Sequence, residues 1–262
     1  MLRGIYTSAS GMMTDARVQR VIGNNVSNVN TPGYRAQDAY LSPFARAYLA
    51  RTGGHAPSFP VGFGGMTPMG SSVMGSRVAE ISAREDQGRM QTTERTTDLA
   101  INGPGYFAVD VGGELRLTRA GNFVVDDEGF LATAAGHRLA GTGGPIRVEG
   151  ASFTADGEGR VRAGTEQLGR IALVHPGAED VLERGYDGLI RLVGRDPAEG
   201  LVAPEPEQGT EILQGTLELA NADLVDQMTR LMSTFRSYGA NHSAFRIQDG
   251  ALAEVSKIID NL

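Results

Sequence analysis

The stretch 21–35, VIGNNVSNVNTPGYR, constrains the fold most, because it closes an amphipathic helix with four asparagines and then breaks the chain at Thr-Pro-Gly-Tyr. The short asparagine amide competes with helical backbone bonds, so Asn24, Asn25, Asn28 and Asn30 mark a helix end held by side-chain hydrogen bonds. Pro32 and Gly33 fit the two central positions of a type II turn. Upstream, Leu2, Ile5, Ala9, Met12, Ala16, Gln19, Gly23 and Val26 alternate steps of three and four, which is the spacing of a helix seam.

The other end of the chain is helical too. Leu224, Leu231, Tyr238, Phe245, Leu252 and Ile259 recur every seven residues, with Met228 and Phe235 in the second seam position. That second position continues as His242, Asp249 and Ser256, while Val255, Ile258 and Leu262 broaden the apolar face. Residues 222–262 therefore read as one helix of roughly 60 Å that needs partners on more than one side rather than a two-stranded zipper. Gly11, Gly23, Gly239 and Gly250 lie inside the two helical patterns and leave two readings open, close approach of another helix or local breaks.

Between the ends glycine is frequent, helical period is lost and short apolar alternations are cut by turn residues, which is β structure. Strands are expected at 106–109, 115–117, 123–125, 130–131, 146–148, 153–155, 160–161 and 171–174. A weak repeat, FVVDDEGFL from Phe123 and FTADGEGRV from Phe153, reads as two hairpins with solvated Asp-Gly turns. A calcium loop is the sharper alternative, but the ligand order of an EF-hand is missing. Residues 38–95 begin with LSPFARAYLAR, expected to be helical, and pass into HAPSFPVGFGGMTPMGSSVMG, expected to be irregular or extended. The methionines there suit either loop cover over a core or an adaptable interface.

Composition and motifs exclude most chemistry. A net charge of −7 argues against a nucleic-acid binder, although Arg3, Arg17, Arg20 and Arg35 face a single Asp15 in the first thirty-six residues. The absence of cysteine excludes disulfides and thiolate catalysis. No apolar run reaches the ~18–20 residues of a membrane span, and the N-terminus lacks a secretory h-region, so export is expected to retain it. There is no phosphate loop, nucleophile elbow or HExxH helix. Gly103-Pro104-Gly105 leads into a strand, not a helix N-terminus, and reads as a tight turn. His55, His137, His175 and His242 show no ligand spacing. The pairs Glu85-Asp86 and Asp126-Asp127 sit in polar or turn contexts and read as solvated. His242 reads as a satisfied interface residue, with a pH-sensitive contact as the alternative.

Three motifs carry a resemblance. The first is Asn24-Asn25, Asn28, Thr31, Gly33 and Tyr34. The second is DLAINGPGYFAV from Asp98, continued by 117–123, Asp126, 129–131 and Gly136-His137. The third runs from Leu213 and includes Gly215, Glu218, Asn221 and Val225. In this order they resemble the axial proteins of the bacterial flagellum, particularly rod proteins of the hook and basal body. Val26-Ser27 departs mildly from the Leu/Ile-Ala more usual at those positions.

The resemblance implies an α+β, mainly β fold in which a central β-rich domain is flanked by long N- and C-terminal helices that pack together. Residues 1–36 and 220–262 would form an inner tube, 37–95 a connecting segment and 96–219 an outer domain. It implies a non-enzymatic structural subunit without cofactor or metal. The subunit would be exported through the flagellar type III apparatus to the envelope and periplasm. There it would self-associate into a helical tube with other rod and hook proteins, with no nucleic acid bound and no membrane insertion. Assembly contacts are expected at Asn24, Asn25, Asn28, Thr31, Gly33, Tyr34 and Asn221, and along Leu224, Met228, Leu231, Phe235, Tyr238, Phe245, Leu252 and Ile259. The alternatives are a hook subunit or, in another class, a β-rich extracellular enzyme or carbohydrate-binding module.

Overall fold

The computed structural model describes residues 2–52, 66–148, 153–177, 180–185, 188–193, 198, 201–204 and 209–260. The chain divides into two compact units, Met1–Ser27 with Gln37–Arg84 and Asp223–Leu262, and Asn28–Ala36 with Glu85–Ala222.

The first unit holds helix α1 (Leu2–Ser27), the strands β1 (Gln37–Thr52) and β2 (Met66–Ala83), and helix α2 (Leu224–Asp260). The helices pack against each other, and β1 and β2 pair as a long antiparallel hairpin from Gln37↔Ala83 to Thr52↔Met66, with register shifts at Tyr40/Leu41 and Leu49/Ala50. The stretch LSPFARAYLAR is therefore strand and not the expected helix. Its local propensity is a weak preference, and continuous pairing with β2 outweighs it. The hairpin also lies along α1, where Thr14 Oγ1 donates to the Ser76 carbonyl at 2.8 Å. Most of the Gly/Pro/Met stretch, and the choice between interface and loop cover for its methionines, lies outside the described residues.

The second unit is antiparallel β. Its short strands include β3 (Met90–Thr92), β4 (Leu99–Asn102), β5 (Tyr106–Val111) and β6 (Glu114–Thr118). The largest sheet runs in the order 181–184, 190–193, β6, β5, 138–141, 131–132, 124–125. Alternate residues of these strands point inward to one core, with Leu99, Ile101, Phe107, Val109, Phe123, Leu131 and Leu139 fully buried and Phe107 set edge-on to Phe123 at 5.3 Å. On the return, Glu211–Gln214 pairs with β4 and Thr216–Glu218 pairs with β3. Gly215, at φ +69°, turns the chain between the two. Gly103 and Gly105 adopt positive φ before β5, the tight turn expected there.

The internal repeat is a repeated turn. Asp126 Oδ1 accepts the Glu128 and Phe130 N–H groups, and Asp156 Oδ1 accepts those of Glu158 and Arg160. The second oxygens take Arg138 Nε at 3.0 Å and Arg160 Nε at 2.7 Å. These carboxylates are spent on their own hairpins. The Phe130 N–H chiefly, with the bonds from Arg138 and Glu128, holds the Asp126 carboxyl below the usual aspartate range. At Asp156 burial pushes upward, but the Arg160 bonds and the Glu158 N–H together outweigh it, so its pKa is also lowered. A carboxyl whose folded pKa is depressed contributes stability above its unfolded value, about 3.9, and loses it as pH falls through the folded value. The urea midpoint of the chain is thus expected to drop as pH falls below about 4, and the D126N/D156N variant should show a flatter acid limb. An acid limb of unchanged steepness in that variant would place the acid sensitivity elsewhere.

Candidate assembly surfaces

In the first unit the Asn25 amide clasps the end of α1. Asn25, 1% exposed, accepts the Gln37 N–H at 2.9 Å through Oδ1 and donates through Nδ2 to the Gln37 carbonyl at 2.8 Å and to Gln227 Oε1 at 3.1 Å. It pairs with both backbone groups of Gln37 as a residue of a neighbouring strand would, and it ties α1, the start of β1 and the first turn of α2 together. Gln227 was not legible from the apolar heptads because it lies outside them. Asn24, by contrast, is exposed. Asp223 caps α2, its Oδ1 accepting the N–H groups of Val225 at 2.8 Å and Asp226 at 3.1 Å.

Polar side chains tie the two helices together. A Cβ on Gly4 would collide with the Gln248 amide, and one on Gly11 would come within 2.7 Å of Asn241 Nδ2. Asp15 Oδ2 accepts Ser237 Oγ and Asn241 Nδ2, both at 3.0 Å. The facing residues are seven or fourteen apart on both helices: Gly4, Gly11 and Asn25 on α1 meet Gln248, Asn241 and Gln227 on α2, as expected of an antiparallel pair. Gly11 therefore leaves room for the facing Asn241 amide. Gly23, Gly239 and Gly250 meet nothing among the described residues, and each continues its helix without a break.

Part of the apolar series is turned away from this contact. Successive helical residues are about 100° apart, so Met228, one after Gln227, points well off the line to α1, and Phe235 repeats its direction seven residues later. They are 49% and 56% exposed, and Met232 is 54% exposed. Leu231, Phe245 and Leu252 each follow a contact residue by four positions, about 40° from the line, and are half-buried beside it. Tyr238 and Leu224 are exposed at 38% and 39%. The Ile259 side chain lies outside the described residues. The α1 seam is offset in the same way, since Ile5, Met12 and Val26 each follow a contact residue by one. The hydrogen bonds between the helices thus run along small and amide residues, with Leu231, Phe245 and Leu252 flanking that line and Met228 and Phe235 well off it.

The turn residues belong to the second unit. Thr31 donates through Oγ1 to Asn28 Oδ1 at 3.2 Å, and Tyr34 N–H closes the turn on the Thr31 carbonyl at 3.3 Å. Gly33 has φ +66°, and a Cβ there would strike the backbone of Arg119 and Ala120, so the position needs glycine on both counts. The Gly33 N–H donates to the Glu218 carbonyl at 2.8 Å. Asn221 Oδ1 accepts the Ala36 N–H at 2.6 Å, and its Nδ2 donates to the Asp86 carbonyl at 2.8 Å. Tyr34 is half-buried with the Arg184 guanidinium 5.1 Å from its ring centre. Burial raises its phenol pKa, and Arg184 partly opposes this.

Beneath the turn is a buried charge cluster that spacing did not reveal. The Glu218 side chain, 1% exposed, holds Arg35 Nη2 at 3.2 Å and Gly88 N at 2.9 Å on one oxygen, and Arg119 Nη1 at 3.1 Å on the other. Arg119 also donates to the carbonyls of Ile101 and Gly103. Arg35 donates to those of Glu85 and Asp86. Burial lowers the Arg119 pKa, and Glu218 opposes that shift. The available signal was a lone acid between apolar residues in LELA, 217–220, where a half-buried strand would turn it inward.

Comparison with known proteins agrees with this architecture. Residues 5–35 match the model of the flagella basal body rod protein, 100–163 the D1 domain of flagellar hook protein FlgE/F/G, and 213–258 the C-terminal part of flagellar basal body rod FlgEFG protein. The chain is 32% identical to the flagellar basal-body rod protein FlgG of Bacillus subtilis over 97% of its length and 98% of that protein. It is 33% identical to FlgF of Caulobacter vibrioides, over 98% and 96%. FlgG of the same organism is 31% identical, over 98% and 99%. With its turn, its central β region and its two terminal helices all matched in order, the chain belongs to the flagellar basal-body rod protein family.

Proposed function

We infer that this chain is a structural subunit of the flagellar rod. It polymerises with copies of itself and with other axial proteins in the basal body to carry torque from motor to hook. One observation carries the polymer reading: Met228, Met232 and Phe235 stand exposed on α2, off the line along which Gln227 and Asn241 bond to α1. An apolar stripe of that kind is covered when neighbouring subunits supply the missing side. Torque transmission needs many interlocked contacts, which suits an extended stripe better than a catalytic pocket. Three relatives of 31–33% identity that align nearly end to end carry the name of rod proteins, which favours the rod over the hook. Export through the flagellar type III apparatus belongs to the same reading.

Limited proteolysis tests this. Residues 1–36 and 220–262 are expected to be cleaved faster in free chain than in polymer, because only assembly covers the stripe. Equal protection in the two states would count against assembly through the helices.

A further inference from the structure

Resting on the assembly reading above, we propose that Met228 and Met232 are oxidation sites through which hydroperoxides block polymerisation of the free chain. The chain has nine methionines and no cysteine, so the thioethers are its only sulfur. Met228 and Met232 lie one turn apart on α2, 49% and 54% exposed, beside Phe235 in the apolar stripe. Met12 and Met90 are half-buried, and Met13, 66% exposed, lies on α1.

The reaction needs only a hydroperoxide. A lone pair of the thioether sulfur attacks the terminal peroxide oxygen and forms an S–O bond as the O–O bond breaks. Sulfur loses two electrons to become the sulfoxide, and the peroxide is reduced to water or an alcohol after proton transfer. The product is a polar, chiral group in place of a flexible apolar one. On a monomer the sulfoxide oxygen is solvated and the fold is unaffected. Under a neighbouring subunit it would be stripped of water with no donor provided, which opposes assembly. The device is selective in time, because polymer formed first shields both sulfurs.

The test uses the full chain and hydrogen peroxide. Peptide mass spectrometry should find sulfoxide at Met228 and Met232 in free chain, and much less of it in polymer treated the same way. The oxidised chain should need on the order of tenfold more protein to polymerise, as expected for burying an unpartnered polar group. Its far-UV circular dichroism should be unchanged, and methionine sulfoxide reductase should restore polymerisation. The M228L/M232L variant should polymerise like the unmodified chain before and after peroxide. Undiminished polymerisation of chain carrying both sulfoxides would overturn the proposal, as would an equal loss in M228L/M232L, which would place the damage elsewhere. Failure of untreated chain to polymerise at all would instead sink the assembly reading on which this one stands.

Discussion

Phe235→Asp is expected to abolish rod assembly and swimming while leaving the folded chain intact. The side chain is 56% exposed in the free subunit, so an aspartate there stays hydrated and should change stability by no more than about 0.5 kcal/mol. In a polymer the same carboxylate would be buried without a partner, at a cost of several kcal/mol, or roughly a hundredfold or more in assembly. Soft-agar swimming, electron microscopy of basal bodies and circular dichroism of the purified variant together read this out. Normal motility in Phe235→Asp would remove the stripe from the assembly surface. Leu231→Asp and Phe245→Asp make a less clean comparison, because both residues are half-buried beside α1 and their replacement also disturbs the folded helix pair.

Glu218→Ala is expected to be the most damaging single change to the second unit, costing about 3–5 kcal/mol. It leaves the side chains of Arg35 and Arg119, each 5% exposed, facing one another without the carboxylate between them, and it orphans the Gly88 N–H. Arg119, already lowered by burial and supported by Glu218, loses that support. Urea unfolding of the full chain should show the midpoint falling with little change in slope. Replacing all three charges by methionine should recover only part of the loss, because the carbonyls of Ile101, Gly103 and Glu85 then lose their arginine donors. A Glu218→Ala midpoint within error of the unmodified chain would show that the cluster is energetically idle.

The local elements were largely legible because their causes are local. Asp-Gly punctuation placed both repeated hairpins, and Pro32-Gly33 placed the turn. The hairpin of β1 and β2 was not legible. Residues 41–51 carry acceptable helical propensity, and the pairing that overrides it comes from residues 66–83. The strands 138–141, 166–170, 181–184 and 190–193 were also missed, being short and mixed in polarity, with pairing partners rather than alternation defining them. The asparagine run was recognised as a helix end held by amides. The partner of the buried amide was decided elsewhere, since Asn25 finds Gln227 202 positions away.

By itself the sequence determined that both ends are helical, that the middle is β, that a tight turn follows α1, and that each helix carries an apolar face. Periodicity can do this because it reports the geometry of one segment against itself. Only the tertiary structure decided which face each helix turns to the other. The answer is the small and amide residues one step before the apolar series, where glycine leaves room for the facing amides and Asp15 finds two donors. It also decided that Arg35, Arg119 and Glu218 share one buried site across 99 positions of chain from Arg119 to Glu218. Such choices depend on partners that no local spacing records. They leave the Met228–Phe235 stripe uncovered in the single subunit.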